Sequence, residues 1–271
     1  MTSKIQNQPA LTAAVVNANQ RQQQEEAPTL SSPQSHLFVL LAKAGLPTHT
    51  YSALALSKTG VFFEPVTHAA IAAYNADLGR AVRDGDVSTI KAMVDKRTST
   101  TKEPQMQETE REQKGASIER SGVWRRCTPR NQFGESVIHT AARHGTADVL
   151  RFLLDEAGAS AAVCCDSGRT PLHDACWTCR SQTSNHNKND NFDLSDHFPV
   201  IEILLDALPD LLYIKDQRGF TPLQYVPVNQ WSAWHSFLDA QYGPSHSNQN
   251  LQKLRSRRLP SLSTQPPTLP G

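Results

Sequence analysis

The sequence lacks the features that mark membrane-spanning, secreted and polyanion-binding proteins. It contains no apolar run of about 18 residues and no basic start followed by a sustained apolar stretch, so we expect neither a membrane span nor a secretory signal. Its five cysteines, an odd number, fit reduced thiols in a reducing compartment. The formal net charge is only +1, which argues against a general attraction to nucleic acid or membranes. These absences predict an intracellular protein, cytoplasmic and/or nuclear.

Apolar residues are also scarce. They make up 38% of the chain, and the 17 prolines concentrate toward the ends, so not all of the chain can form a packed core. Residues 1–34 are rich in Gln and Asn, and residues 243–271 are rich in Ser, Pro and Gln. This polar bias predicts disorder at both ends. Two internal stretches, near 98–124 and 180–196, lack apolar periodicity and are predicted to be inserted loops.

One octapeptide recurs between these polar stretches. Residues 168–175 read GRTPLHDA, residues 134–141 read GESVIHTA, and residues 219–226 read GFTPLQYV. The pattern G-x-T-P-L-H-x-A, with a period near 33 residues, resembles the ankyrin signature. The resemblance implies a stack of helix-turn-helix units joined by short hairpins.

The spacing of the glycines supports this resemblance. Gly134 and Gly168 are 34 residues apart, and the 51 residues from Gly168 to Gly219 equal one unit plus an insertion of about 18 residues. A weaker first unit lies at 76–97, and the 60 residues from Gly85 to Gly145 leave room for a second insertion of about 27 residues. We therefore predict four repeats, two of them regular.

Each motif residue has a physical role in such a unit. A hydroxyl at Thr170 can cap the first helix, and Pro171 suits the first helical position because it has no N–H to leave unpaired. Leu172 faces the neighbouring repeat, and His173 is expected to hydrogen-bond the Thr170 hydroxyl. Gly145 ends the first helix of its unit in a left-handed conformation. Because one repeat cannot bury both faces of its helices, neighbouring repeats must stack.

The predicted fold class is therefore an all-α ankyrin-repeat solenoid. Residues 35–74 form an N-terminal helical extension with two helices, near 36–44 and 66–74, that we expect to dock on the first repeat. Residues 75–242 hold the repeats and the two inserted loops. Trp231, Trp234, Phe237 and Leu238 share one helical face and are predicted to cover the last repeat, with a peptide-binding stripe as the alternative.

A closer resemblance rests on several blocks in order: FFEPVT, AVRDGDV, NQFGES, GRTPLHDACWT, PDLL, DQRGFTPL and WSAWHSFL. These blocks resemble a family of ankyrin-repeat proteins from diatoms and related algae, over roughly residues 37–238. The sequence departs from the repeat pattern in its long inserts and at Gln224, where a repeat carries His. The resemblance implies repeat proteins with no assigned reaction.

Ankyrin stacks bind partners through hairpin tips and the exposed side of the first helices. Those positions form an aromatic and arginine-rich surface, the composition of interface hot spots. The predicted protein-binding residues of this concave face are Gln132, Phe133, Glu135, Arg143, His144, Asp166, Ser167, Arg169, Trp177, Thr178, Gln217, Arg218 and Phe220. The structural alternative is that Trp177 or Phe133 packs under an inserted loop.

Other chemistry finds less support. Cys176 and Cys179, with His186 and His197, could bind zinc, but their spacing matches no common zinc pattern, and Cys176 fills a small-residue core position. A redox pair would need a βαβ context, and a nucleophile made from His173 and Cys176 would need an exposed, activated thiolate. We expect no metal site, no cofactor and no catalysis.

The sequence thus predicts a non-catalytic module that binds one protein or peptide. The alternatives are a nuclear regulator whose basic residues 253–258 contact nucleic acid, and a Cys/His metal-regulated protein. For the basic residues we favour a solvated tail, because short basic clusters are common in disordered ends.

Overall fold

The structure, a computed structural model, describes residues 31–100, 124, 127–181, 197–244 and 249–256, without the side chains of 97–100 and 178–181. The chain divides into two units, Met1–Ser31 and Ser32–Gly271, and the elements described below belong to the second. In chain order the α-helices are α1 (Pro33–Lys43), α2 (Ala53–Thr59), α3 (His68–Ala73), α4 (Ala76–Asp84), α5 (Val87–Thr100), α6 (Val137–His144), α7 (Ala147–Arg151), α8 (Pro171–Ser181), α9 (Phe198–Ala207), α10 (Trp231–Tyr242) and α11 (Gln249–Ser256). Within the described ranges, none of these helices has the length and apolar character needed to cross a bilayer.

The repeats stack through their first helices. Helix α4 contacts α6, α6 contacts α8, and α8 contacts a single 3₁₀ turn, Pro222–Tyr225, that replaces the first helix of the last unit. Helices α7 and α9, the second helices of the middle units, also contact each other. Helix α7 continues into one turn of π-helix, Phe152–Glu156. The stacked first and second helices of the repeats share one continuous hydrophobic core.

Short hairpins precede the last three units, and each turns at a glycine. Gly134, Gly168 and Gly219 have φ angles of 74°, 73° and 82°, in the left-handed region that favours glycine. The hairpins also hydrogen-bond to one another, because the Asp166 amide donates to the Phe133 carbonyl at 3.1 Å and the Gln217 amide donates to the Ser167 carbonyl at 3.1 Å. The recurring octapeptide therefore marks equivalent turns in adjacent units.

The helix boundaries agree with most of the sequence signals. Gly145 ends α6 with φ 69°, as predicted, and Gly85 ends α4 in the same conformation. Helix α5 extends to Thr100 and α8 to Ser181, so each continues slightly past the start of its predicted inserted loop. The rest of those two loops lies mainly outside the described residues, although the buried Trp124 is held by a bond from its amide to the Ala157 carbonyl at 3.0 Å.

The N-terminal extension does not dock as predicted. Helix α1 contacts α10 and the 3₁₀ turn Pro222–Tyr225, which belong to the last unit and not to the first. Leu37, Leu40 and Leu41 form the buried face of α1 within the main core. The last unit has only one helical turn in place of a first helix, so its apolar surface needs another cover, and α1 supplies it. We call residues 32–73 the N-terminal strap, because they run from the last unit back toward the first.

The strap is attached along its length by backbone and polar contacts. Strand β1 (Tyr51–Ser52) pairs in parallel with strand β2 (Ile214–Lys215), a short pairing that the sequence did not predict. Helix α2 was also not predicted, and it packs Ala53 and Leu56 into a small second core with Phe63 and Ile214. Helix α3 is shorter than the predicted helix at 66–74 because Thr67 caps it.

A buried polar cluster fastens the middle of the strap. The Glu64 carboxylate accepts hydrogen bonds from the Thr128 amide at 2.6 Å and the Thr128 hydroxyl at 2.8 Å. The Arg130 guanidinium donates to the Glu64 carbonyl at 2.7 Å, and the Arg130 amide donates to the Ala70 carbonyl at 3.1 Å. Buried polar groups need such partners, so this cluster fixes where the strap crosses the second unit.

The C-terminal end confirms one prediction and contradicts another. Trp234 and Phe237 of α10 pack against Phe198 of α9 and are buried with Leu238 in the main core, so this helix closes the stack as predicted. The expectation of a disordered tail from residue 243 is wrong for 249–256, which form α11 and bury Leu251 and Leu254 in the main core.

The basic residues of α11 are engaged within the protein. Lys253 forms an ion pair with Asp206 at 2.6 Å, and Arg255 donates to the Ala44 carbonyl at 2.8 Å. These two side chains therefore do not form the predicted solvated basic tail. Arg257 and Arg258 lie outside the described residues.

Candidate functional site

Two buried histidines connect the middle units and so shape the concave face. The Nδ1 atom of His173 accepts a hydrogen bond from the Thr170 amide at 3.1 Å and lies 2.8 Å from the Thr170 hydroxyl, as predicted. With Nδ1 accepting, the proton resides on Nε2, which donates to the Phe220 carbonyl of the next hairpin at 3.0 Å. His139 repeats this arrangement with Ser136 and the Arg169 carbonyl.

The last unit keeps half of this arrangement. Gln224 occupies the histidine position, and its side-chain oxygen accepts from the Thr221 amide at 2.8 Å. The Thr221 hydroxyl donates to Gln34 of the strap and also to the same Gln224 oxygen, at 3.2 Å. In the second and third units the hairpin of the next repeat lies beyond this turn. In the last unit, which carries Gln, the strap lies there.

Four charged side chains of the concave face form one ion-pair network. A single terminal nitrogen of Arg143 donates to Glu135 at 2.7 Å and to Asp174 at 2.6 Å. Arg169 reaches Glu135 at 3.2 Å and Asp174 at 3.6 Å. The network joins the hairpin arms and first helices of the second and third units. Glu135, Arg143 and Arg169 were predicted site residues, and the structure brings them together.

The charges of the network stabilise one another. Burial alone would raise the pKa of Glu135, but the hydrogen bond and the charge of Arg143 hold it below its ordinary value. Burial would lower the pKa of Arg143 and of Arg169, but the charge of Asp174 raises both. The Glu135 carboxylate is therefore ionised at neutral pH and paired with both guanidinium groups.

An aromatic cluster continues the surface into the last unit. The Arg169 guanidinium lies 5.8 Å from the centre of the half-buried Trp177 ring, whose other neighbour is Tyr225 at 5.2 Å. Phe220 meets Tyr225 edge to face at 5.8 Å. The Tyr225 hydroxyl donates to Asp216, which also accepts from the Arg218 and Phe220 amides. Trp177 therefore packs partly against its neighbours, although under no inserted loop that the structure describes.

The hairpin tips carry the exposed residues. Phe133 is 60% exposed and Phe220 is 44% exposed. Gln132, Ser167 and Arg218 are exposed on the same turns, and His144 is exposed at the end of α6. These residues border the ion-pair network and the aromatic cluster.

Two predicted residues lie beside the strap instead. Asp166 and Gln217 line a cavity of about 230 Å³ together with Ala53 and Leu54 of α2. The Gln217 side chain donates to the Asp166 carbonyl at 2.5 Å. The strap therefore lies against the hairpin tips at Asp166 and Gln217. The surface that remains open to a partner is smaller than the predicted one. The side chain of Thr178 lies outside the described residues.

Two residues of the site were missed by the sequence analysis. Asp174 is the hub of the ion-pair network, and Tyr225 is the centre of the aromatic cluster. Asp174 occupies the variable position of the octapeptide, where the preceding repeat has Thr140. Comparing the repeats position by position could therefore have identified it.

The cysteine and histidine alternatives gain no geometric support. His173 and Cys176 are both fully buried, so neither can meet a substrate from solvent, and Cys176 belongs to the main core as predicted. Within the described ranges, no three His, Cys, Asp or Glu side chains are placed to hold a metal ion. The Cys179 side chain and His186 lie outside those ranges.

Comparison with known proteins supports the repeat assignment. Residues 78–185 match the family model for ankyrin repeats (3 copies). Among solved structures, one chain of the complex between the predatory endopeptidase Bd0816 from Bdellovibrio bacteriovorus and immunity protein Bd3460 is 14% identical. That match covers 61% of this chain and 97% of that chain with a TM-score of 0.25, which is too low to carry an argument. No curated protein matches the sequence.

The chain therefore contains ankyrin repeats, and the predicted helical solenoid is confirmed. The last unit, at 216–242, lies beyond the matched residues. Its place in the stack rests on the contact of its 3₁₀ turn with α8 and on the bond between its hairpin and the preceding one. The closer resemblance to algal ankyrin-repeat proteins stays a prediction.

Proposed function

We propose that the protein is a non-catalytic interaction module that binds one protein or peptide across the concave face. Ankyrin repeats in general are protein-interaction modules, and their concave surfaces are the usual binding sites. The observation that carries the proposal is the pair of exposed rings, Phe133 and Phe220, on the hairpins of the second and the last unit.

The composition and rigidity of this surface favour binding. Aromatic rings and arginines dominate the energetics of protein interfaces, and anchors that are already held in place lose little entropy on binding. Arg169 pairs with Glu135 and Asp174, and its guanidinium lies over the Trp177 ring. The partner would therefore meet a preformed surface that spans three units.

Replacing Phe220 with Ala tests the proposal. We expect partner affinity to fall about tenfold or more, because truncated aromatic anchors are the common hot spots of interfaces. Partners would be isolated by affinity purification with the full chain, and binding would then be measured with a purified partner by titration calorimetry. Phe133→Ala is expected to act in the same direction.

The matched control is Val61→Ala, because Val61 is an apolar residue of the strap that is 74% exposed and distant from the ion-pair network in sequence. This control should leave affinity unchanged, which separates loss of a binding anchor from loss of any exposed apolar side chain. If partners bind Phe220→Ala, Phe133→Ala and Trp177→Ala as tightly as the wild type, the concave-face proposal is wrong.

A further inference from the structure

The charges of the concave face are unequally exposed. In the ion-pair network, the side chains of Arg143 and Arg169 are 36% and 25% exposed, whereas those of Glu135 and Asp174 are 22% and 1% exposed. The carboxylates thus lie deeper than the guanidinium groups that they pair with. A partner that approaches this face meets guanidinium N–H groups first.

The last hairpin shows the same inequality. The buried carboxylate of Asp216 accepts from the Arg218 and Phe220 amides and from the Tyr225 hydroxyl, so the hairpin's own donors occupy it. The Arg218 side chain is exposed at the tip of that hairpin. Repeats two to four therefore each present an arginine, and the exposed carboxylate of Asp166 lies beside the strap.

The arginines retain hydrogen-bonding capacity. Arg143 uses one terminal nitrogen for both of its carboxylate partners, so its second terminal nitrogen can still donate to a bound partner. A guanidinium group donates along two directions and pairs bidentately with carboxylates. Burial lowers the pKa of the nearby His144, and the charges of Arg83 and Arg143 lower it further, whereas the charge of Asp84 opposes them.

We infer that the partner segment is an acidic peptide that carries aromatic or aliphatic anchors. Its carboxylates would pair with Arg143 and Arg218, and its apolar side chains would contact Phe133 and Phe220. This inference rests on the proposed function and adds the chemistry of the partner.

Single-stranded nucleic acid is the other polyanion that arginines and aromatic rings can bind, but the surface fits it less well. Base stacking needs open ring faces. Here Arg169 lies over the face of Trp177, and Tyr225 packs against the same ring. A peptide can use the remaining donors and the exposed ring edges without displacing these pairs.

Selection from a library of random linear peptides displayed on phage tests the inference. The immobilised full chain should enrich peptides that combine Glu or Asp with Phe, Trp or Leu, and synthetic copies should bind the purified protein. Arg218→Glu should weaken these peptides about fivefold and favour their Lys-substituted versions, because reversing an exposed charge changes an attraction into a repulsion. Among the contacts of the described residues, Arg218 hydrogen-bonds its own hairpin through its amide, so this variant should keep its fold, which circular dichroism would check.

The outcomes distinguish failure of the acidic-partner inference from failure of the proposed function. Enriched peptides that are basic or uncharged, yet depend on Phe220, would overturn the acidic-partner inference and leave the proposed function standing. Peptides that bind Phe220→Ala and Phe133→Ala as well as the wild type would overturn the proposed function itself. Preferential binding of an oligo-dT probe at the same residues would overturn the peptide assignment.

Discussion

Replacing Leu41 with Ala is expected to lower the free energy of unfolding by about 3 kcal/mol, because it leaves a cavity in the main core. Leu41 is fully buried on the face of α1 that packs against the last unit. The one-turn 3₁₀ segment of that unit cannot cover the core without α1, so the loss should spread to α10. Chemical denaturation would measure the total loss, and hydrogen exchange should show faster opening of α10 than of α6.

The matched control for Leu41 lies on the same helix. Val39 is 50% exposed on the opposite face of α1, and Val39→Ala should change the free energy of unfolding by less than about 0.5 kcal/mol. If Leu41→Ala accelerated exchange in α4 and left α10 unchanged, the strap would dock on the first unit, and the position of α1 described above would be wrong.

Acidification is expected to destabilise the stack through its buried histidines. Burial lowers the pKa of His173 from 6.5 to about 4 and also lowers the pKa of His139. Between pH 6.5 and pH 4, His173 binds a proton in the unfolded chain but not in the folded chain. The contribution of the neutral histidine to the stability of the folded state is therefore complete above pH 6.5 and is lost as the pH falls toward 4. For His173 the loss amounts to about 3 kcal/mol. Denaturation measured at several pH values across this interval would show it.

His173→Gln isolates this contribution. Gln224 shows that a glutamine oxygen can accept the bond from the turn amide in this position, so the variant should fold, although it loses the bond to the Phe220 carbonyl. At pH 7 we expect it to be less stable than the wild type by about 1 to 2 kcal/mol. The difference should vanish or reverse near pH 4, because glutamine does not titrate. An unchanged difference across the interval would contradict the assignment of the neutral tautomer.

The repeat architecture could be read from the sequence because its signals are local. Gly134, Gly168 and Gly219 each adopt a turn conformation that depends only on their own hairpin, and His173 hydrogen-bonds within its own turn. Each such feature repeats near a fixed period, so the copies reinforce one another. Five of the predicted site residues, Glu135, Arg143, Arg169, Trp177 and Phe220, lie in or beside the network for the same reason, since equivalent positions of stacked repeats must be neighbours.

The strap could not be placed because its contacts are distant in sequence. The apolar spacing of Leu37 and Leu41 shows which face of α1 is buried. It does not show where α1 docks, because either end of the stack could have covered that face. Strands of two residues, such as Tyr51–Ser52, carry no detectable alternation. The helix at 249–256 was missed because its Lys and Arg residues lower the local hydrophobicity, while only Leu251 and Leu254 enter the core.

The docking of α1 on the last unit has a consequence for synthesis of the chain. His36 of α1 and Asp239 of α10 form a hydrogen bond between positions 203 residues apart, so α1 leaves the ribosome long before its binding surface exists. At typical elongation rates the delay is about 10 to 40 seconds. During that interval the repeats can assemble in order from the first unit, while the apolar face of α1 has no docking site. A nascent-chain experiment should find α1 accessible to protease until α10 has been translated, and protected soon afterwards.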